Sequence, residues 1–294
     1  MLLNILSRIV FEVFPYFGNN GDFMRYPVVS NMFYPGDETA LESFFLKAIN
    51  KEAKASGEII GAISPHAGYM YSGMCAGFTY SAIAGSFKEP PIFVILGPNH
   101  SGNGSGVSIS LQDWKTPLGE VKLDKELAKA IRKHSQYADF DENAHTDEHS
   151  IEVQLPFLQH IYKNFTFVPI SIMLFDEEVA EDLGKAIFEA EKEIGKRICV
   201  IASSDFTHYE PAKQAESKDN EALEKIKEFD AKGFFQLVYK NKYTICGTMP
   251  ITVLLHYAKL KGGKKVEVLK YTNSGETTGD FSSVVAYVSA VMIK

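Results

Sequence analysis

Short apolar runs alternate with amphipathic segments along most of the chain. The runs at residues 59–63, 92–96, 166–173 and 198–202 are rich in β-branched side chains. Such runs predict strands that are buried on both faces, as in a parallel sheet. Segments with helical spacing, including 74–84 and 177–193, lie between them. The alternation predicts an α/β fold with a single domain, a central, mostly parallel sheet and helices on both faces.

Cap and turn residues mark further elements. Asp37 predicts the start of a helix that continues to about Ala55, and Asp124 predicts a helix to His134. Residues 114–123 are typical of a hairpin, and 265–271 and 283–292 of closing strands. The strongly charged stretch 212–230 predicts a solvated helix face, and residues 249–260 a helix with proline in its first turn.

Residues 1–23 form an apolar extension ahead of the main pattern, which covers 24–294. Their leucine, isoleucine and valine residues recur at helical spacing, so we expect an amphipathic helix that packs on the domain or on a neighbouring subunit. A homo-oligomer is therefore left open. Arg8 and Glu12 interrupt the segment, which argues against a membrane span or signal peptide. Translation from Met24 is the alternative.

Composition excludes some functions. The 294 residues carry a net charge of -7 with no basic cluster, which argues against nucleic-acid binding. The 45% hydrophobic content is ordinary for a globular protein. Three widely spaced cysteines do not suggest a disulfide framework, so a reducing cytoplasmic location is expected, without a membrane partner.

Candidate chemistry follows the predicted strands. His66, His100 and the pair Asp205 and His208 each come just after a buried run, and Cys246 precedes a helix. Loops at the carboxyl ends of parallel strands converge, so these side chains are expected to meet. Imidazole with thiolate suits iron, copper or zinc, whereas each residue alone has an ordinary structural explanation.

Other polar residues leave alternatives open. The spacing of Asp205 and His208 suits a carboxylate that orients an imidazole for acid or base catalysis, or else an N-cap beside a loop histidine. His149 with Glu148 and Glu152 indicates either support for metal ligands or a capping box with a surface ion pair.

A series of motifs resembles the MEMO family, named after a mediator of ErbB2-driven cell motility. The resemblance runs from about Arg25 to the C-terminus and leaves 1–23 outside. The motifs are Arg25-Tyr-Pro with Phe33-Tyr34-Pro35, Ser64-Pro-His66-Ala-Gly-Tyr-Met-Tyr-Ser-Gly73, Leu96-Gly-Pro-Asn-His100, Asp147-Glu-His149-Ser-Ile-Glu152, Ser203-Ser-Asp205-Phe-Thr-His208 and Cys246-Gly247.

The resemblance implies a fold like that of the class III extradiol ring-cleaving dioxygenases, which hold iron(II) with two histidines and one glutamate. His66 and His100 match the two histidine ligands, and His208 matches the acid/base histidine. Cys246 stands where those enzymes have glutamate, so ring cleavage is not implied. The resemblance suggests iron or copper binding, with redox activity or peptide recognition; no nucleotide cofactor is expected.

Three hypotheses follow. The first is a metal protein in which His66, His100 and Cys246 bind iron or copper, with redox activity toward a small molecule and with His208, Asp205 and His149 beside the metal. The second is a non-catalytic module that binds a peptide or protein through Tyr69, Tyr71 and Phe206. The third is a zinc-dependent hydrolase in which a carboxylate such as Glu152 activates water.

Overall fold

A computed structural model describes residues 24–49 and 55–294. The helix expected within residues 1–23 lies outside these ranges. The strands in the described ranges are β1 (Met24–Arg25), β2 (Ile59–Ser64), β3 (Ile92–Pro98), β4 (Val107–Ile109), β5 (Asp113–Thr116), β6 (Gly119–Leu123), β7 (Ala138–Phe140), β8 (Thr166–Ile172), β9 (Ile198–Ser203), β10 (Asp205–Glu210), β11 (Lys265–Asn273) and β12 (Val284–Ile293).

The strands form one mixed sheet. Their order along the sheet is β1-β5-β6-β8-β3-β9-β2-β12-β10, with β11 paired to β12 and β4 to β7 and β8. The five neighbours from β6 to β2 are parallel, as the buried apolar runs predicted. At the far end, β12 runs antiparallel to β2, β10 and β11. The prediction of a mostly parallel central sheet is confirmed.

The helices lie in the connections. They are α1 (Glu38–Ala48), α2 (Met74–Ser86), α3 (Lys125–His134), α4 (Leu155–Ile161), α5 (Glu177–Ile194), α6 (Ala212–Lys227), α7 (Ala231–Asn241), α8 (Thr248–Leu260) and α9 (Gly275–Thr278). Asp37 and Asp124 cap α1 and α3 through side-chain bonds to backbone N–H groups, as predicted. Helix α1 is shorter than expected, because it ends at Ala48 with Ile49 in extended conformation.

The core lies on both faces of the sheet, because successive side chains of a strand point in opposite directions. In β3, Val94 and Leu96 pack with helices α3, α5 and α8 on one face. Phe93 and Ile95 pack with helices α1, α2 and α4 on the other. Each face is covered, so the central strands are fully buried and the loops at their ends hold the polar chemistry.

Two segments differ from expectation. Residues 205–210, interpreted as a loop, form β10, which pairs with β12 about 80 residues later in the chain. In the charged stretch 212–230, Asp219 is fully buried rather than solvated. Its carboxylate accepts hydrogen bonds from Thr207 and from the Tyr271 hydroxyl, so it joins α6 to β10 and β11.

A candidate metal centre at the strand ends

Three adjacent strands bring the candidate residues together. His66 comes two residues after the end of β2, and His100 two residues after the end of β3. Strand β9 lies between β2 and β3 and leads directly to Asp205. The ring centroids of His66 and His100 are 5.3 Å apart. The predicted convergence of these loops is therefore seen in the structure.

Glu148 fixes the orientation of His100. One carboxylate oxygen lies 3.0 Å from Nδ1 of His100, and the other accepts the backbone N–H of His100 at 2.6 Å. Burial raises the pKa of Glu148, but the bonds and charge of His100 outweigh this and lower it to about 2. The ionised carboxylate can only accept, so Nδ1 carries a proton, and Nε2 is available as a ligand atom when His100 is neutral. Burial lowers the pKa of His100, but the hydrogen bond and charge of Glu148 outweigh this and raise it, so a metal ion competes with a proton for Nε2.

Ser203 fixes the orientation of His66 in a similar way. Its Oγ lies 3.0 Å from Nδ1 of His66 and donates its own hydrogen to the carbonyl oxygen of Ser150 at 2.6 Å. Nδ1 of His66 must therefore be the donor, which leaves Nε2 unprotonated. Burial, followed by the nearby His149 and His100, lowers the pKa of His66 well below its ordinary value.

His149 completes a cluster of three imidazoles. Its ring stacks on His100 with centroids 4.7 Å apart, and ligand nitrogens of His66, His100 and His149 all lie within 4.8 Å of one another. Burial lowers the pKa of His149, so it too favours the neutral form. The His100 side chain is 38% exposed, which leaves one side of the cluster open. The arrangement could hold one metal ion.

Cys246 lies at the edge of this cluster. Its Sγ is 3.1 Å from Nε2 of His66 and accepts the backbone N–H of Asp205 at 3.2 Å. Burial, followed by the charge of Asp205, raises the pKa of the thiol well above its ordinary value. Gly247 lets the segment after Cys246 pack closely against Ser204, because a Cβ at position 247 would lie 2.2 Å from the Ser204 side chain. Cys75 and Cys199 are buried free thiols elsewhere in the core.

Asp205 and His208 do not form the expected carboxylate–imidazole pair. Asp205 accepts the backbone N–H groups of His66 and Ala67 at 2.8 and 3.3 Å, so it shapes the loop that carries His66. Burial raises its pKa to about 6. Thr244 holds His208 instead, because Nδ1 of the ring donates to the carbonyl oxygen of Thr244 at 2.8 Å. Nε2 of His208 is then left as an acceptor.

Glu148 and Glu152 are both fully buried, which rules out the surface ion pair. Glu148 supports His100, one of the two roles considered for it. Glu152 is bound by Arg25, by the Tyr34 hydroxyl at 2.5 Å, and by the backbone N–H groups of residues 28 and 29. Both of its oxygens are occupied, so it is not free to activate water.

A cavity of about 500 Å³ opens in front of the histidines. His66, His100, His149, Asp205 and His208 line one part of it. Most of the rest is aromatic or carries hydroxyl groups, from Phe33, Tyr71, Tyr209, Ser274, Thr278, Ser283 and Tyr287, with Ala67, Gly68 and Val285 completing the lining. Of the aromatics proposed for peptide binding, only Tyr71 borders this space. Tyr69 and Phe206 are core residues that are 4% and 0% exposed.

Sequence reasoning missed several partners in the site. Ser203 and Thr244 orient two of the imidazoles, and Arg25 anchors Glu152, from sequence separations of 36 residues or more. Nothing in the local pattern marks such pairs. The one available signal was the presence of Arg25 and Ser203 in the motifs of the family resemblance.

The fold and the site define a class: an α/β protein with a histidine-rich cluster at the carboxyl ends of its central parallel strands. The chain belongs to the Memo-like protein family, whose model matches residues 25–291. The family resemblance based on the motifs is thereby confirmed, and residues 1–23 lie ahead of the match.

Relatives cover nearly the whole chain. MEMO1 family proteins from Methanosarcina mazei and Thermococcus onnurineus are 42% and 41% identical to it, each over 92% of this chain and 99% and 100% of their own lengths. A solved structure, an uncharacterized protein from Escherichia coli K12, aligns with a TM-score of 0.52 at 12% identity, over 81% of this chain and all of its own. That likeness concerns the fold alone.

Within the part of the chain that the structure describes, no helix combines the length and the apolar character needed to cross a membrane.

Proposed function

We propose that the chain binds a transition metal, iron or copper, between His66 and His100 and acts in redox chemistry on a small substrate in the cytosol. His149 and Cys246 supply further donor atoms. One observation carries the proposal: Nδ1 of His66 and of His100 each has a hydrogen-bond partner, so Nε2 of each ring is left unprotonated as a donor atom, that of His66 beside Sγ of Cys246.

The donor set fits such an ion. Neutral imidazoles suit iron, copper and zinc, and a thiolate favours softer or redox-active metals. Metal-binding histidines commonly give their second ring nitrogen to a carboxylate or another fixed acceptor, as His100 does to Glu148. When bound, iron or copper would supply electron transfer and open coordination positions for a small molecule.

The chain's own residues would handle protons and position the substrate. His208 borders the cavity, and its Nε2 can accept a proton from a bound hydroxyl because Nδ1 is held by Thr244. Tyr71 and Tyr209 border the same space and can cover a small ligand. Asp205 keeps the His66 loop in place through two backbone bonds.

Two other functions have weaker support. A zinc hydrolase that used Glu152 as its base would have to break the bonds of that buried carboxylate to Arg25 and Tyr34. A peptide-binding module has a specific observation in its favour, since Tyr209 is 79% exposed beside the cavity and Met70 is 68% exposed on the neighbouring loop. That function predicts that Tyr209→Ala abolishes ligand binding while His208→Ala leaves it intact.

Metal analysis of protein purified without an affinity tag tests the proposal. We expect close to one iron or copper per chain, and a large loss of metal in a His66→Ala/His100→Ala double variant. His208→Gln should retain its metal, because His208 is assigned to proton exchange. His256→Ala is a matched control, since His256 pairs with Glu177 away from the cluster. Wild-type protein without stoichiometric metal would refute the proposal.

A further inference from the structure

Arg25 links the N-terminal arm, residues 24–36, to residues 145–152, the segment that contains Glu148 and His149. It lies in β1, whose backbone pairs with β5, and its guanidinium lies 4.2 Å from the centroid of the Trp114 ring. The Arg25 side chain is 5% exposed. A buried cation on an aromatic face is fixed in both position and direction.

All three nitrogens of the Arg25 guanidinium bind one eight-residue stretch. Nε donates to the carbonyl oxygen of His145 at 3.0 Å, Nη2 to that of Glu148 at 2.7 Å, and Nη1 to the carboxylate of Glu152. Between the short 3-10 helices at 143–145 and 152–154, this stretch has no regular secondary structure. Its shape therefore depends on side chains from elsewhere.

The same stretch holds the parts of the site that face His100. Arg25 binds the backbone of Glu148, so the Glu148 carboxylate is left for His100 and for the backbone N–H of Ser150. The next residue, His149, belongs to the cluster. Displacing the backbone at residue 148 would therefore move both the candidate ligand His149 and the Glu148 carboxylate that orients His100.

We infer that Arg25 is a positioning residue for the metal centre: by binding the main chain of residues 145–148 and the Glu152 carboxylate, it sets the placement of Glu148 and His149. This inference rests on the proposed metal site. Arg25 touches no group of the cluster directly and acts through the backbone that carries it. Tyr34 assists from the same arm by donating to Glu152.

Cobalt(II) titration of metal-free protein tests this role, with Arg25→Lys as the variant. Lysine keeps the charge, but its three N–H donors share one nitrogen and cannot reach the three separate acceptors that Nε, Nη1 and Nη2 of Arg25 bind. We therefore expect about tenfold weaker cobalt binding, at the lower end of losses seen for partners of metal ligands. The visible absorption spectrum per bound cobalt should also change, because the ligand geometry changes. A purely structural role would lower the unfolding temperature without altering that spectrum.

Arg197→Lys is the matched control. Like Arg25, Arg197 lies over an aromatic ring, that of Phe87, and donates to a backbone oxygen, that of Glu89. It precedes the first residue of β9 and therefore lies at the end of the sheet opposite the histidines. Its variant should bind cobalt like wild type. If Arg25→Lys does not fold, Tyr34→Phe loosens Glu152 without removing a buried charge, and a two- to fivefold loss is expected.

The outcomes separate the two proposals. Wild-type protein that binds no cobalt overturns the metal site, and the role of Arg25 with it. If wild-type protein binds cobalt, and Arg25→Lys and Tyr34→Phe both bind it with the wild-type affinity and spectrum, only the role of Arg25 is overturned. Equal losses in the Arg25 and Arg197 variants do the same, because they would reflect stability rather than position.

Discussion

The carboxylate of Glu148 holds His100 at two points, the ring Nδ1 at 3.0 Å and the backbone N–H at 2.6 Å. A single buried acid thus sets both where the histidine lies and which of its nitrogens is free. The orientation of the candidate ligand depends on a residue 48 positions away in the sequence.

Glu148→Gln should weaken metal binding by about 10- to 100-fold, because the neutral amide orients His100 less firmly and makes it less basic. Calorimetric titration with zinc or cobalt measures the change. Glu42→Gln is the control, since Glu42 binds Nδ1 of His160 at 2.8 Å outside the site. Equal affinities for Glu148→Gln and wild type would contradict the role assigned to Glu148.

Cys246 and His149 can be distinguished as metal donors. Cobalt bound to a thiolate has a sulfur-to-metal charge-transfer band, so wild-type protein should show this band and Cys246→Ser should lose it while still binding cobalt through imidazoles. His149→Asn should keep the band and bind more weakly. If the wild-type protein lacks the band, Cys246 is not a ligand, and the three histidines alone bind the metal.

Asp219 should make stability depend on pH. Burial raises its pKa from 3.8 to about 6 despite the bonds from Thr207 and Tyr271. Between these two pH values the folded state holds a proton that the unfolded state has lost. The stability that this proton contributes is fully present below pH 3.8 and is lost as the pH rises through about 6. At 1.36 kcal/mol per pKa unit, it amounts to about 3 kcal/mol.

Urea unfolding of wild type and Asp219→Asn at several pH values measures this contribution. The unfolding free energy of wild type, relative to the variant, should fall between pH 3.8 and about 6. The comparison is needed because buried His145, whose pKa is lowered to about 4, contributes in the opposite direction in both proteins. Parallel curves for the two proteins would show that the Asp219 pKa is not raised.

Gly77→Ala should destabilise the fold by about 1–3 kcal/mol, although alanine favours helices. A Cβ at position 77 of α2 would lie 2.1 Å from the backbone oxygen of Ala48 in α1. Thermal unfolding measures the loss. Because the clash is with the main chain, Gly77→Ala/Ala48→Gly should not regain stability; recovery in the double variant would show that side-chain crowding was the cause.

Much of the fold could be predicted because its signals are local. The uninterrupted apolar run at 92–96 can be buried only in the middle of a covered sheet, and Asp37 and Asp124 cap helices with their own side chains. Strand β10 escaped prediction because the polar sequence around His208 becomes a strand only by pairing with β12.

The sequence by itself determined the buried strands, the helices between them and the placement of His66 and His100 at strand ends, since these follow from periodicity and from the geometry of parallel sheets. Only the tertiary structure decided that Thr244 rather than Asp205 holds His208, and that Glu152 is bound to Arg25. Such pairs join residues far apart in the chain, and their choice depends on which side chains folding brings within hydrogen-bond distance.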